Sequence, residues 1–124
     1  MRRPWILSAC LDRVRRLARE LVVRNVEGVV FRPDAIVCGN DETAVQLVET
    51  LRAIGKRVPE DVAVVGFDDA GIAASCRIPL TTVRQPSRQI ATAVLRTLLA
   101  RISRPGDSPR EIRLSAPLVV RAST

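Results

Sequence analysis

The apolar positions of the chain alternate between two patterns: short unbroken runs and longer stretches at helical spacing. AIVCGND, residues 35–41, is a brief apolar run that stops at Gly39, too short for a helix and readable as a buried strand. ETAVQLVETLRAI follows, with Ala44, Leu47, Val48, Leu51 and Ile54 on one face. Asn40 and Asp41 stand where that helix needs an N-cap, and Gly55 where it needs a C′ residue. VAVVGF, residues 62–67, is a second buried strand. Its lack of alternation predicts a parallel strand covered on both faces. Residues 35–67 therefore predict one strand–helix–strand crossover unit.

Beyond it, AGIAASCR predicts a short helix stopped by Pro79, and LTTVRQ, residues 80–85, a third strand stopped by Pro86. PSRQIATAVLRTLLARI predicts a strong helix over 86–102 with Ser87 as its N-cap. Ile90, Val94, Leu98 and Ile102 form one row, with Ala91, Leu95 and Leu99 beside it. EIRLSAPLVVRAST predicts short strand-like pieces around Pro117. Upstream, Leu11, Val14, Leu17, Ala18, Leu21 and Val22 fall at helical spacing in 11–24, opposite an arginine face. NVEGVVFRPD, residues 25–34, reads as a turn or linker. The fold class is α/β, a parallel sheet flanked by helices.

Composition narrows the chemistry. The formal charge is +7, almost all of it arginine, scattered from Arg2 to Arg121 rather than gathered in a block. That favours a solvated basic surface over one nucleic-acid face. The three aromatics, Trp5, Phe31 and Phe67, are too few for base stacking. There is no histidine, and Cys10, Cys38 and Cys76 are widely spaced. This argues against a disulfide framework, a zinc site and His-dependent nucleophilic catalysis. No cofactor and no metal are expected. Leu7-Ser-Ala-Cys10 looks like a lipoprotein cleavage box, but the apolar run before it is shorter than the roughly 7–15 residues of a signal h-region. No stretch approaches the ~20 apolar residues of a membrane span. A cytoplasmic, non-membrane protein is expected.

The candidate chemistry lies in VPEDVAVVGFDDAG, where a run of valines ends on Asp68 and Asp69. At a central strand's C-terminal end, Asp68 would face the crevice where open α/β sheets hold ligands. A carboxylate there accepts hydrogen bonds from adjacent hydroxyls or amines, as a sugar or nucleoside presents them. Asn40, at the neighbouring strand end, can both donate and accept. Two other readings stay open. Asp-Asp-x-Gly also makes a simple turn, with one Asp capping the short helix that follows. An acidic pair can also hold Mg²⁺ in a metal-dependent enzyme.

PDAIVCGND, then VPEDVAVVGFDD, then PLTTVRQP, then a terminal LVVRAST resemble, in this order, the lac-repressor (LacI/GalR) family of bacterial transcription regulators. The resemblance covers 32–124. It implies the C-terminal part of a two-lobed effector-sensor domain like the periplasmic sugar-binding proteins, with 1–31 as a non-matching amphipathic helix and linker. It further implies that Asp68, Asn40 and Gln85 contact the effector, and that Val83-Arg-Gln-Pro86 crosses between lobes. The 87–102 helix would pack on the first lobe, and Val45, Val48, Ser75 and Cys76 would lie at a homodimer interface. Relatives reach operator DNA through a helix-turn-helix, and nothing in this sequence resembles one. The expected function is effector sensing for a repressor, not catalysis. Beside it stands a basic fragment that binds nucleic acid or a protein through charge.

Overall fold

Every residue of 33–124 is described in the computed structural model, together with the backbone of Trp5–Leu7, Asn25–Val26 and Val29–Val30. Trp5–Leu7 is β1, Asn25–Val26 β2 and Val29–Val30 β3. Ala35–Cys38 is β4 and Asp41–Ala53 is α1. Ala63–Asp68 is β5, Gly71–Ser75 α2, Thr81–Arg84 β6, Ser87–Ser103 α3 and Leu118–Val119 β7. The main sheet runs β1-β4-β5-β6-β7. Its first three pairings are parallel, and β7 returns antiparallel to β6. β2 and β3 form a separate antiparallel pair within the stretch read as a turn or linker. The expected helix over 11–24 lies outside the described residues. Within the stretch set apart as 1–31, Trp5–Leu7 pairs in register with Ile36–Cys38 in the main sheet.

The ends of α1 follow from their sequence. The Asn40 side-chain oxygen accepts the Thr43 N–H at 2.8 Å, closing the first turn. At the other end Gly55 takes φ +79°, which only glycine adopts freely. The Lys56 N–H then reaches back to the Leu51 carbonyl at 2.9 Å, a Schellman closure.

α1 packs on β4 and β5, and α2 packs on α1. Ala44, Leu47 and Leu51 are fully buried against Ile36, Cys38, Val64, Ala73 and Leu80. The strands bury their alternate residues unequally: Ile36, Cys38 and Val64 completely, Val37 and Val65 only in part. The unbroken valine run thus lies on a sheet with one fully buried face, not two.

α3 differs from the expectation at its start and along its length. Pro86, not Ser87, is the cap residue, and no side chain caps this end. A proline ring has no oxygen to offer, while Ser87 already lies within the helix. None of the residues of α3 is buried. Val94, Leu95, Leu98, Leu99 and Ile102 each keep more than half of their surface. Of the predicted terminal pieces only Leu118–Val119 is a strand.

Candidate functional site: the Asp68 strand tip

β5 ends in a backbone that L-residues rarely adopt. Asp68 has φ +120° and Asp69 φ +56°. Such conformations cost on the order of 1–3 kcal/mol each and persist only where surrounding bonds enforce them. Here those bonds are visible. Asp41, fully buried at the start of α1, accepts the Ala70 N–H at 2.7 Å and the Thr82 hydroxyl at 2.6 Å. The same Thr82 oxygen accepts the Asp69 N–H at 3.4 Å. Asp41 can sit there because residue 66 is glycine: a Cβ on Gly66 would collide with the Asp41 carboxylate and stand 2.7 Å from Leu80.

The two adjacent carboxylates have separate partners. Asp69 is only 10 % exposed and lies between two guanidinium groups, with Arg121 Nη2 at 2.6 Å from one oxygen and Arg84 Nε at 2.6 Å from the other. The hydrogen bonds from Arg121, then from Arg84, hold its carboxyl below the usual carboxylate range. Asp68 is half-buried. Its Oδ1 accepts from the Gln85 side-chain amide, and its backbone carbonyl accepts the Gln85 N–H at 3.3 Å. Among the described residues nothing donates to Asp68 Oδ2. Asp68 Oδ1 is thus oriented by Gln85.

The turn reading is altered as well. Neither Asp68 nor Asp69 caps α2, whose cap residue is Ala70. The Ala70 N–H is taken by Asp41 across the sheet instead.

The sequence-predicted residues fare unequally. Asp68 and Gln85 are bonded to each other. Asn40 stands at the end of β4, beside β5, exposed, with Oδ1 given to the helix cap and its amide nitrogen without a partner among the described residues. Val45 is half-buried on α1, Ser75 is exposed on α2 and Cys76 follows half-buried. Val48 is 3 % exposed and packs in the core of this chain. Burial pushes the Cys38 thiol up to about 12, which keeps it neutral.

Sequence reasoning missed Asp41, Thr82, Gly66 and Arg121. One signal was available: a glycine inside a strand marks a close approach, here that of the Asp41 carboxylate. Among the described residues no group of three or more His, Cys, Asp or Glu side chains is placed to hold a metal. No helix among them is long and apolar enough to cross a membrane.

Residues 5–124 match a family described as periplasmic binding protein-like domain, so the match extends through most of the stretch read as non-matching. The chain is 38% identical over 109 residues to the arabinose metabolism transcriptional repressor of Geobacillus stearothermophilus, covering 87% of this chain and 29% of that protein. It is 36% identical over 92 residues to the HTH-type transcriptional repressor PurR of Photobacterium profundum, covering 74% of this chain and 28% of that one. Among solved structures, a complex of the transcriptional regulator CelR with cellobiose superposes with a TM-score of 0.79 at 35% identity. That superposition covers 92% of this chain and 33% of the CelR chain. The chain therefore spans less than a third of the length of the two repressors.

Proposed function

Because this chain belongs to the periplasmic binding protein-like domain family and corresponds to part of the effector-binding region of LacI-family transcriptional regulators, we propose that it carries one half of a ligand cleft, with Asp68 as its charged contact. The ligand class is a sugar or nucleoside-like molecule. The observation that supports this most is the Asp68 carboxylate itself: half-buried at a strand tip, one oxygen turned by Gln85, the other without a donor among the described residues. Charge-assisted hydrogen bonds to a ligand hydroxyl contribute about 1.5–3 kcal/mol each. Asn40 adds an amide donor at the adjacent strand end. The cellobiose held by CelR and the arabinose in the name of the Geobacillus repressor favour the sugar side of this class.

The exposed apolar row of α3 is, in this reading, the seat of the companion lobe that completes the cleft. Val45, Ser75 and Cys76, with Ile72 beside them at 41 % exposed, form the face for a second copy. The role is non-enzymatic and cytoplasmic. Ligand binding biases one arrangement of the lobes over another, and DNA affinity follows through a helix-turn-helix outside these residues. The metal-enzyme reading draws no support from Asp69, both of whose oxygens are already held by arginines.

A thermal-shift screen of sugars, including cellobiose and arabinose, and of purine nucleosides tests the proposal. Ligand at about a hundred times its Kd stabilises by about 2.7 kcal/mol, a rise of roughly ten degrees for a domain of this size. Asp68→Asn removes that rise. A rise that survives the substitution, or none with any compound, contradicts the proposal.

A further inference from the structure

The carboxylate beside the proposed ligand contact joins three segments that are distant in sequence. Asp69 follows β5. Arg84 is the last residue of β6, paired with Asp68 in the ladder and immediately before Gln85. Arg121 follows β7, and its second nitrogen donates to the Leu80 carbonyl at 2.8 Å, just before β6 begins. The Arg84 N–H donates to the Pro117 carbonyl at 2.9 Å, so the segment entering β7 is bound at the same point. Gln85, the partner of Asp68, is thus one peptide away from a side chain that Asp69 grips.

We propose that Asp69 is a positioning residue: through Arg84 and Arg121 it fixes where β6 gives way to Gln85, and so sets the Asp68–Gln85 pair before any ligand arrives. This rests on the reading of Asp68 as a ligand contact. The Arg121 half of the clamp is only 19 % exposed and the Arg84 half 57 % exposed. Solvent therefore screens the second more than the first, and its main effect is direction rather than overall stability. A group that only stabilises the fold loosens every amide together when removed. A positioning group loosens the Gln85 neighbourhood selectively.

The test compares the ¹⁵N-labelled full chain with its Asp69→Asn and Arg84→Gln variants by amide exchange, by the Gln85 side-chain resonances and by titration with cellobiose. Asp69→Asn is expected to shift the Gln85 amide resonances and to speed exchange of the Gln85 N–H by about tenfold more than that of the Val64 N–H, whose rise follows the overall loss of stability alone. Apparent cellobiose affinity falls by a similar factor of about ten. Arg84→Gln moves the same signals in the same direction, by less. Unchanged Gln85 signals, or a uniform rise in exchange that includes Val64, overturn the proposal. If Asp69→Asn does not fold, Arg84→Gln decides by the same two signals. If no protein responds to cellobiose while Gln85 still responds to Asp69→Asn, the ligand assignment is what fails and the positioning role stands.

Discussion

α1 and α3 carry nearly the same apolar spacing and end up in opposite surroundings. In α1, Ala44, Leu47 and Leu51 are fully buried against β4 and β5; in α3, Val94, Leu98 and Ile102 on the equivalent row remain more than half exposed. An apolar stripe fixes which face of a helix seeks cover but not what covers it. α1 is enclosed by strands within a few residues of it in sequence. α3 follows Pro86, and among the described residues its flank meets the returning segment at Ile112 and Leu114. Beside the stripe lies a trough of about 460 Å³ lined by Ile90, Val94, Leu98, Ile112 and Leu114. One helix closes a core, and the other leaves its apolar stripe exposed.

Substitutions that exploit this contrast order themselves by size. Leu47→Ala removes a side chain with no exposure and is expected to lower unfolding free energy by about 2–5 kcal/mol in a urea titration. Gly66→Ala comes next, at about 1–3 kcal/mol, because the added Cβ runs into the Asp41 carboxylate and Leu80. Gly71→Ala meets nothing within 4 Å and serves as its control.

Asp69→Asn is expected to cost about 1–2 kcal/mol at neutral pH, since it weakens bonds to two guanidinium groups. Its pH dependence has a definite sign. The folded carboxyl titrates below its unfolded value of about 3.9, so the stabilisation is complete above that value. It is lost as pH falls through the lowered folded value. Wild-type and variant denaturation curves should therefore converge in acid and separate towards neutrality. The smallest effect belongs to Leu98→Ala, within about 0.5 kcal/mol, because its side chain is already 54 % exposed. A loss at Leu98 comparable with that at Leu47 would remove the distinction between the two helices.

The elements that local chemistry dictates were legible in the sequence. Asn40 and Gly55 close the two ends of α1 as their types require, and β4 and β6 lie where short apolar runs stop before Gly39 and Pro86, while β5 runs through Gly66 to Asp68. Asp68 at a strand tip was readable for the same reason, whereas Gln85 was read as the end of the next strand and lies one residue beyond it. What escaped notice depends on distance along the chain. Asp41 reaches Thr82 across 41 residues and Arg121 reaches Asp69 across 52, and no periodicity encodes such pairings. Val48 is buried as its place in the helical stripe requires. Ser87 was misplaced by one position, since serine is a common cap and proline offers none. The valine run of β5 overstated the cover on its second face.

Two neighbouring acids stand in different surroundings: Asp69 is tied into the fold by two arginines, and Asp68 is the proposed ligand contact. Carbon-13 labelling of the aspartate carboxyls, followed during addition of cellobiose, reads both at once. The Asp68 resonance is predicted to move and saturate while that of Asp69 stays in place. Movement at Asp69 with Asp68 unchanged, or no movement at either, would contradict that assignment.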